Sequence, residues 1–356
     1  MNKNLLAIAV GAAFVVPGVA FADAKVYGKF NVGLESQKDE IGLDKKYADN
    51  TWVFKDNNNS SRLGFKGDQD LGLGDLKVIY QLEYGIDPDG SEGSPFSERN
   101  IFVGLQGGFG TVQFGKYDTP VKKAGEKVDQ FNDESLGDFA GLMVGETRQN
   151  NMIQYSTPKL FDALTVTAAV VPGEGRASVD DGGAGEVDKG IADTFYASVV
   201  YDSKMVYGSI SYASKEPAKL KFDGLGTPAT AALAYDILRA AVYVKPIVDL
   251  ELGALYQDAR GVDQSNAGAT SGDDAKEKSW LVSAGYSIEA LKLKAQYGQT
   301  KGDISDLKRS EMAFGVDYKL SKAMVAQAYY VKYKQDAASG SDPESSAAGL
   351  GLVYSF

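Results

Sequence analysis

From about residue 24 to residue 356, apolar and polar side chains alternate with a period of two, the mark of strands with one apolar and one polar face. Leu291, Leu293, Ala295 and Tyr297 fall on one face, and Lys292, Lys294, Gln296 and Gly298 on the other. The segments Leu76 to Tyr84 and Val248 to Tyr256 alternate in the same way. The pattern predicts strands at 24–35, 53–66, 75–85, 98–106, 110–117, 148–157, 163–172, 192–202, 205–214, 231–245, 248–258, 278–287, 291–300, 309–319, 323–335 and 347–356. The connections alternate too. Asp202-Ser203-Lys204, Lys245-Pro246-Ile247 and Leu320-Ser321-Lys322 are short, whereas 173–191, 215–230, 259–277 and 336–346 are long and polar. Short turns on one rim, long loops on the other and an even strand number predict an all-β fold, a sixteen-stranded antiparallel transmembrane β-barrel. Closing the sheet pairs every ladder hydrogen bond, which strands in hydrocarbon require. Alternation alone would also suit a soluble sandwich or solenoid; the slightly negative mean hydropathy of so large a sheet favours a polar-lined barrel.

Composition removes other classes. The 356 residues include no Cys and no His, which excludes a disulfide scaffold, a thiolate or imidazole metal site and a Ser-His-Asp hydrolase. No cofactor is implied. With 48 acidic and 37 basic side chains the formal charge is -11, which argues against a nucleic-acid partner. Lys3, the apolar run from Leu5 to Val16, the breakers Pro17 and Gly18 and the triplet Ala20-Phe21-Ala22 have the layout of a secretory leader. Residues 1–22 are expected to be a cleaved signal peptide and 23–356 the barrel. The apolar run is shorter than the ~20 residues that span a bilayer as a helix.

Several stretches then carry a resemblance. Val26-Tyr27-Gly28-Lys29, Ser61 through Gly67 (SRLGFKG), Asn100 through Gly110 (NIFVGLQGGFG), Gly137-Asp138-Phe139-Ala140-Gly141 and Val353-Tyr354-Ser355-Phe356 occur in this order across the chain. In these features the sequence resembles the Gram-negative general porins over essentially its whole mature length. The resemblance implies an outer-membrane homotrimer of sixteen-stranded barrels, each a water-filled channel for passive diffusion of ions and small hydrophilic solutes, set among outer-membrane lipid and lipopolysaccharide. It also implies a third external loop folded inward as a constriction.

Segment 118–147 is independently the longest connection between two good strands, and loops of that length are usually functional. The resemblance places its acidic residues near Glu134 and Asp138 at the narrowest point, facing a basic wall of Lys29, Arg62, Arg99 and Arg148. Strand parity supports three of the four. Lys29 shares a face with Asn31 and Glu35, Arg62 opposes Leu63 and Phe65, and Arg148 shares a face with Asn150 and Gln154. Arg99 is the exception, because its parity puts it with Ile101, Val103 and Leu105. Opposed carboxylates and cations across a narrow aqueous gap orient water and polar solutes. Ion preference depends on that local balance, since much of the total charge sits on external-loop residues such as Asp180, Asp181, Glu186 and Asp188.

Other constellations weigh less. Asp87 to Glu92 lacks the ligand spacing of a calcium loop, and the adjacent acids Asp133 and Glu134 lack the separation of a glycosidase pair. A substrate-specific porin would need an aromatic slide or basic ladder, for which Tyr27, Tyr196, Tyr207 and Tyr243 are scattered. A surface-exposed adhesin or phage receptor would use the loops instead. A barrel phospholipase needs His, so no enzyme is expected.

Overall fold

The computed structural model describes residues 24–43, 49–57, 60–90, 94–173, 190–218, 233–262, 276–303, 306–337 and 340–356. The expected leader and the loop residues Asp180, Asp181, Glu186 and Asp188 lie outside them.

The strands are β1 (Lys25–Asp39), β2 (Thr51–Asp56), β3 (Arg62–Leu73), β4 (Leu76–Ile86), β5 (Phe96–Gly107), β6 (Gly110–Asp118), β7 (Arg148–Ser156), β8 (Leu164–Val171), β9 (Thr194–Asp202), β10 (Val206–Ala218), β11 (Leu233–Ile247), β12 (Leu250–Val262), β13 (Lys276–Ile288), β14 (Leu291–Gly302), β15 (Lys308–Lys319), β16 (Met324–Gln335) and β17 (Glu344–Ser355). From β3 onward each pairs antiparallel with the next, and β1 closes the ring on β17, with Phe30 opposite Tyr354 and Leu34 opposite Leu350. Both β2 and β3 pair with β1, β2 along Val32 to Gln37 and β3 along Lys25 to Lys29. They therefore share one position in the ring, and the barrel is sixteen-stranded.

The single strand expected at 53–66 is thus two. Between them, side chains take over from the ladder. Asp56 accepts from the Ser61 amide at 3.1 Å and from its hydroxyl, while the Asn31 amide and side chain donate to Ser61 Oγ and Ser60 Oγ, each at 2.9 Å. Asp, Asn and Ser offer such local bonds as an alternative to a sheet, and this polar run uses them.

The two faces separate as the alternation requires. Leu238, Val242, Trp280, Val282, Leu293, Tyr297, Phe314 and Leu350 are exposed, whereas Glu35, Arg239, Gln257, Lys294, Gln296, Thr300 and Glu311 on the opposite face are buried. An exposed apolar face around a closed sheet is what lipid tails cover. Among the described residues no helix is long and apolar enough to cross a membrane.

Candidate functional site: the polar face and segment 119–147

The segment between β6 and β7 supplies the side chains that meet the polar face. Thr119 caps the short helix α1 (Pro120–Gly125) by accepting from Lys122 N at 3.2 Å, and Pro120 sits where a missing N–H costs nothing. Two single 3-10 turns follow, Ser135–Gly137 and Phe139–Gly141. Between α1 and these turns Asp129 accepts from the amides of Phe131 (2.9 Å) and Phe139 (3.2 Å), drawing the segment into a compact hook. Val128, Phe131, Leu136, Phe139, Leu142 and Met143 are buried in one cluster with Ala241, Leu255, Leu281, Ala313, Val331 and Tyr333 from the wall. Polar wall groups hold the hook's carbonyls. Thr300 donates to Leu142 O at 2.7 Å, Arg309 to Gly141 O at 2.8 Å and Gln296 to Gly137 O at 3.2 Å.

At the tip, Asp133 and Ser135 have φ of 64° and 44°, a left-handed backbone that costs energy outside glycine. It is held in place by its neighbours. Asn31 donates to Asp133 O at 2.6 Å, and Lys29 meets the Asp133 carboxylate at 2.8 Å. Arg62 approaches the same carboxylate at 3.8 Å. Burial raises the pKa of Asp133, but Lys29, Arg62 and Arg99 overcome it and hold this carboxyl below the usual range.

The sequence-derived basic residues come together here. Lys29 and Arg62 are directly opposite each other in the β1–β3 ladder. Arg99 reaches Glu83 at 2.8 Å, and Arg62 approaches Glu83 at 3.9 Å. Arg148 contacts Asp118 at 3.1 Å and donates to Asn100 at 2.9 Å; Lys122 holds the same Asp118 at 2.9 Å.

Parity alone misplaces Arg99. The β4–β5 register shifts between Leu82 and Tyr84, so Ile101 pairs with Leu82 but Glu98 with Tyr84, and Arg99 with Asn100 oppose the single residue Glu83. The bulge turns Arg99 away from the face of Ile101, Val103 and Leu105 and toward Glu83. A second shift, between Gly115 and Tyr117 with Asn151 at φ 56°, breaks the parity that linked Arg148 to Gln154. Arg148 nevertheless reaches the cluster through Asn100 and Asp118.

The acidic side is arranged differently from its sequence-level expectation. Glu134 is buried against Lys294 and Gln327, and burial pushes its pKa up to about 7 against the pull of Lys294. Asp138 accepts from the amides of Ala140 (2.8 Å) and Asp133 (3.4 Å), and burial raises it too. Asp133 is the residue of the three in ionic contact with Lys29 and Arg62. Parity marked Lys294 and Glu83 only as polar-face residues; nothing local distinguished Asp133 from its acidic neighbours. Among the described residues no cluster of three or more acidic side chains is arranged to hold a metal.

A closed sixteen-stranded barrel, apolar outside and lined by paired charges, defines a β-barrel channel protein of the outer membrane. The chain belongs to the Gram-negative porin family, whose model matches residues 7–339. It is 24% identical to the major outer membrane protein P.IA of Neisseria meningitidis serogroup A over the full length of both chains. It is 33% identical to P.IB of Neisseria gonorrhoeae over 141 residues, 40% of this chain, a match that spans only 38% of that protein. In fold it is similar to an anion-selective porin from Comamonas acidovorans (TM-score 0.71, 19% identity, 94% of this chain and 99% of that one). A similar likeness holds to the trimer form of the Vibrio cholerae outer membrane protein OmpT (TM-score 0.64, 16% identity, 94% and 99%). The chain is an outer-membrane channel for passive diffusion, and its structural neighbours include oligomeric porins.

Proposed function

We propose that segment 119–147 is the third loop folded into the barrel as the constriction, and that solutes pass between it and the wall carrying Lys29, Arg62, Arg99 and Arg148. The observation that carries this reading is the convergence on one hook of polar-face side chains from β1, β14, β15 and β16, an arc of the wall interrupted only by β17. Asn31, Lys294, Arg309 and Gln327 all reach residues 133–141. The family resemblance supports the same arrangement.

In this reading Asp133 is the carboxylate that faces the basic wall, while Glu134 and Asp138 hold the loop from behind. Four wall cations and Lys122 meet three carboxylates, Asp133, Glu83 and Asp118, each within 4 Å of at least one cation. The local balance is positive, and a modest preference for anions follows despite the formal charge of -11. The protein acts as a channel rather than an enzyme, works as a homotrimer in contact with lipid and lipopolysaccharide, and loses residues 1–22 on export.

The purified protein in a planar bilayer under a salt gradient tests this. We expect stable ohmic steps and a reversal potential on the anion side. Arg62→Gln and Arg148→Gln should each move that potential toward cations. Absence of conductance would overturn the channel reading, and potentials indifferent to both substitutions would remove this wall from the solute path.

A further inference from the structure

We infer that Arg239, a wall residue of β11, is the positioning residue that clamps both limbs of segment 119–147 and thereby sets the width and steadiness of the pore. This rests on the constriction reading above and names what enforces it.

Arg239 is fully buried, although it lies on the polar face of a strand in a water-filled barrel. Each nitrogen of its guanidinium has an acceptor. Nε donates to Gln257 Oε1 at 2.8 Å, Nη1 to Val121 O at 3.0 Å and to the Glu146 carboxylate, and Nη2 to Val144 O at 2.9 Å. Val121 belongs to the limb that leaves β6, whereas Val144 and Glu146 belong to the limb that returns to β7. One planar group therefore ties together two stretches more than twenty residues apart in sequence, and ties both to the wall. Gln257 of β12 doubles the grip by donating to Val144 O at 3.1 Å. The ring of Phe139, from the middle of the hook, lies over the guanidinium at 5.2 Å. The backbone is shaped to admit it. A Cβ at Gly125 would sit 3.0 Å from Nη1, and Gly145, at φ +95°, would place one 3.4 Å from Nη2.

The chemistry selects arginine. A buried cation is tolerated only when paired and fully hydrogen-bonded, and the planar fork presents its donors in fixed directions that a lysine ammonium cannot reproduce. Arg239 differs from Lys29, Arg62, Arg99 and Arg148 in that all four of those retain solvent contact. Its charge is spent within the loop anchor, so it should shape the pore without contributing directly to ion preference.

The test compares wild type with Arg239→Lys, Arg239→Met and Glu146→Gln in planar bilayers. Heat-modifiable migration and far-UV circular dichroism confirm that each barrel is folded. The readouts are open-channel current noise, the voltage at which channels close, the size of polyethylene glycol that still enters the pore, and the reversal potential. We expect Arg239→Lys to fold, to show noise raised several-fold and a lower closing voltage, and to admit larger polymers, with little change in reversal potential. Glu146→Gln, which keeps both carbonyl contacts, should fall between Arg239→Lys and wild type. Arg239→Met is the harsher variant; if it fails to fold, Arg239→Lys and Glu146→Gln carry the comparison. Folded Arg239→Lys channels with wild-type noise, closing voltage and polymer limit would overturn the clamp while leaving the channel reading intact. A wild-type protein that does not conduct would instead overturn the channel reading. A reversal potential that moves while noise and polymer limit stay fixed would place Arg239 among the solute-facing cations and refute its role as an anchor.

Discussion

Replacing Asp133 by Asn removes the carboxylate that meets Lys29 at 2.8 Å and Arg62 at 3.8 Å without changing side-chain size. Consider an ion passing this carboxylate at roughly 6 Å: the interaction is about 0.7 kcal/mol at an effective dielectric constant of about 80 and about 2.8 kcal/mol at about 20. With a Debye length of about 10 Å at ~0.1 M salt, screening reduces the lower figure to roughly 0.4 kcal/mol, and that figure suits a partly solvated pore. Removing the charge relieves an anion and deprives a cation by the same amount, so their permeability ratio changes by about 0.8 kcal/mol. At 1.4 kcal/mol per tenfold, that is roughly a fourfold gain for anions. Lys29 and Arg62, released from their partner, add to the effect in the same direction. The assay is the reversal potential of single channels in a tenfold salt gradient, with Asp138→Asn as the control. Asp138 spends its carboxylate on the Ala140 and Asp133 amides, so its neutralisation should move the ratio less. An unchanged potential in folded Asp133→Asn channels, or a larger shift with Asp138→Asn, would refute the assignment of Asp133 to the solute path.

Glu134, raised to about 7, is largely protonated below neutrality and leaves only Asp317, at 3.0 Å, to balance Lys294, so anion preference should increase as pH falls from 8 to 6 and the increase should vanish in Glu134→Gln. A raised carboxyl stabilises the fold most fully below its ordinary value of ~4.3, and that contribution is lost as pH rises through about 7; Glu126, also pushed by burial to about 7, acts with the same sign. Thermal melts of Glu134→Gln should accordingly lose less stability between pH 5 and 8 than wild type. Phe131→Ala, which empties a fully buried position in the loop cluster, should cost about 3–5 kcal/mol of loop docking; faster limited proteolysis within 119–147 on an intact barrel would show it, and wild-type protection would refute it. Gly115, at φ +146° with a would-be Cβ 2.3 Å from Ile101 O, sits on the β5–β6 ladder beside the second register shift, so Gly115→Val should reduce the yield of folded barrel, measured as the heat-modifiable fraction.

The barrel was legible because its signal is repeated: Leu293 and Tyr297 outside against Lys294 and Gln296 inside is one instance of a pattern present in most strands. The site was legible only where parity survives. Lys29 and Arg62 lie on unbroken stretches of ladder and face as their neighbours predict. Arg99 and Arg148 lie beyond bulges, and one extra residue reverses the face of everything after it. A bulge of this kind leaves little local trace in a sequence already rich in Gly and Asn. The break between β2 and β3 is the same failure on a larger scale: period-two reading runs on where Asp56, Ser60 and Ser61 bond to each other's side chains and to Asn31 rather than to a ladder.

The departures from alternation were themselves a signal. Ile237, Leu255, Leu281 and Val331 are apolar residues on the face that also carries Arg239, Gln257, Ser283 and Gln327, and all four are buried. Leu255, Leu281 and Val331 lie in the cluster that receives Phe131, Phe139 and Leu142; Ile237 packs with Val121 and Val144, where the limbs of the same segment leave and rejoin the barrel. In a channel whose lumen is wet, an apolar side chain on the inner face has no reason to be there unless something covers it, since each such residue left exposed forgoes about 1.5–3 kcal/mol of burial. In the proposed reading, these exceptions on β11, β12, β13 and β16 mark where the segment rests against the wall. The four cations of the basic wall, on β1, β3, β5 and β7, keep contact with solvent. In the proposed reading, a segment seated on the wall from β11 to β16 and facing the cations of β1, β3, β5 and β7 leaves an aqueous gap with positive charge on one side.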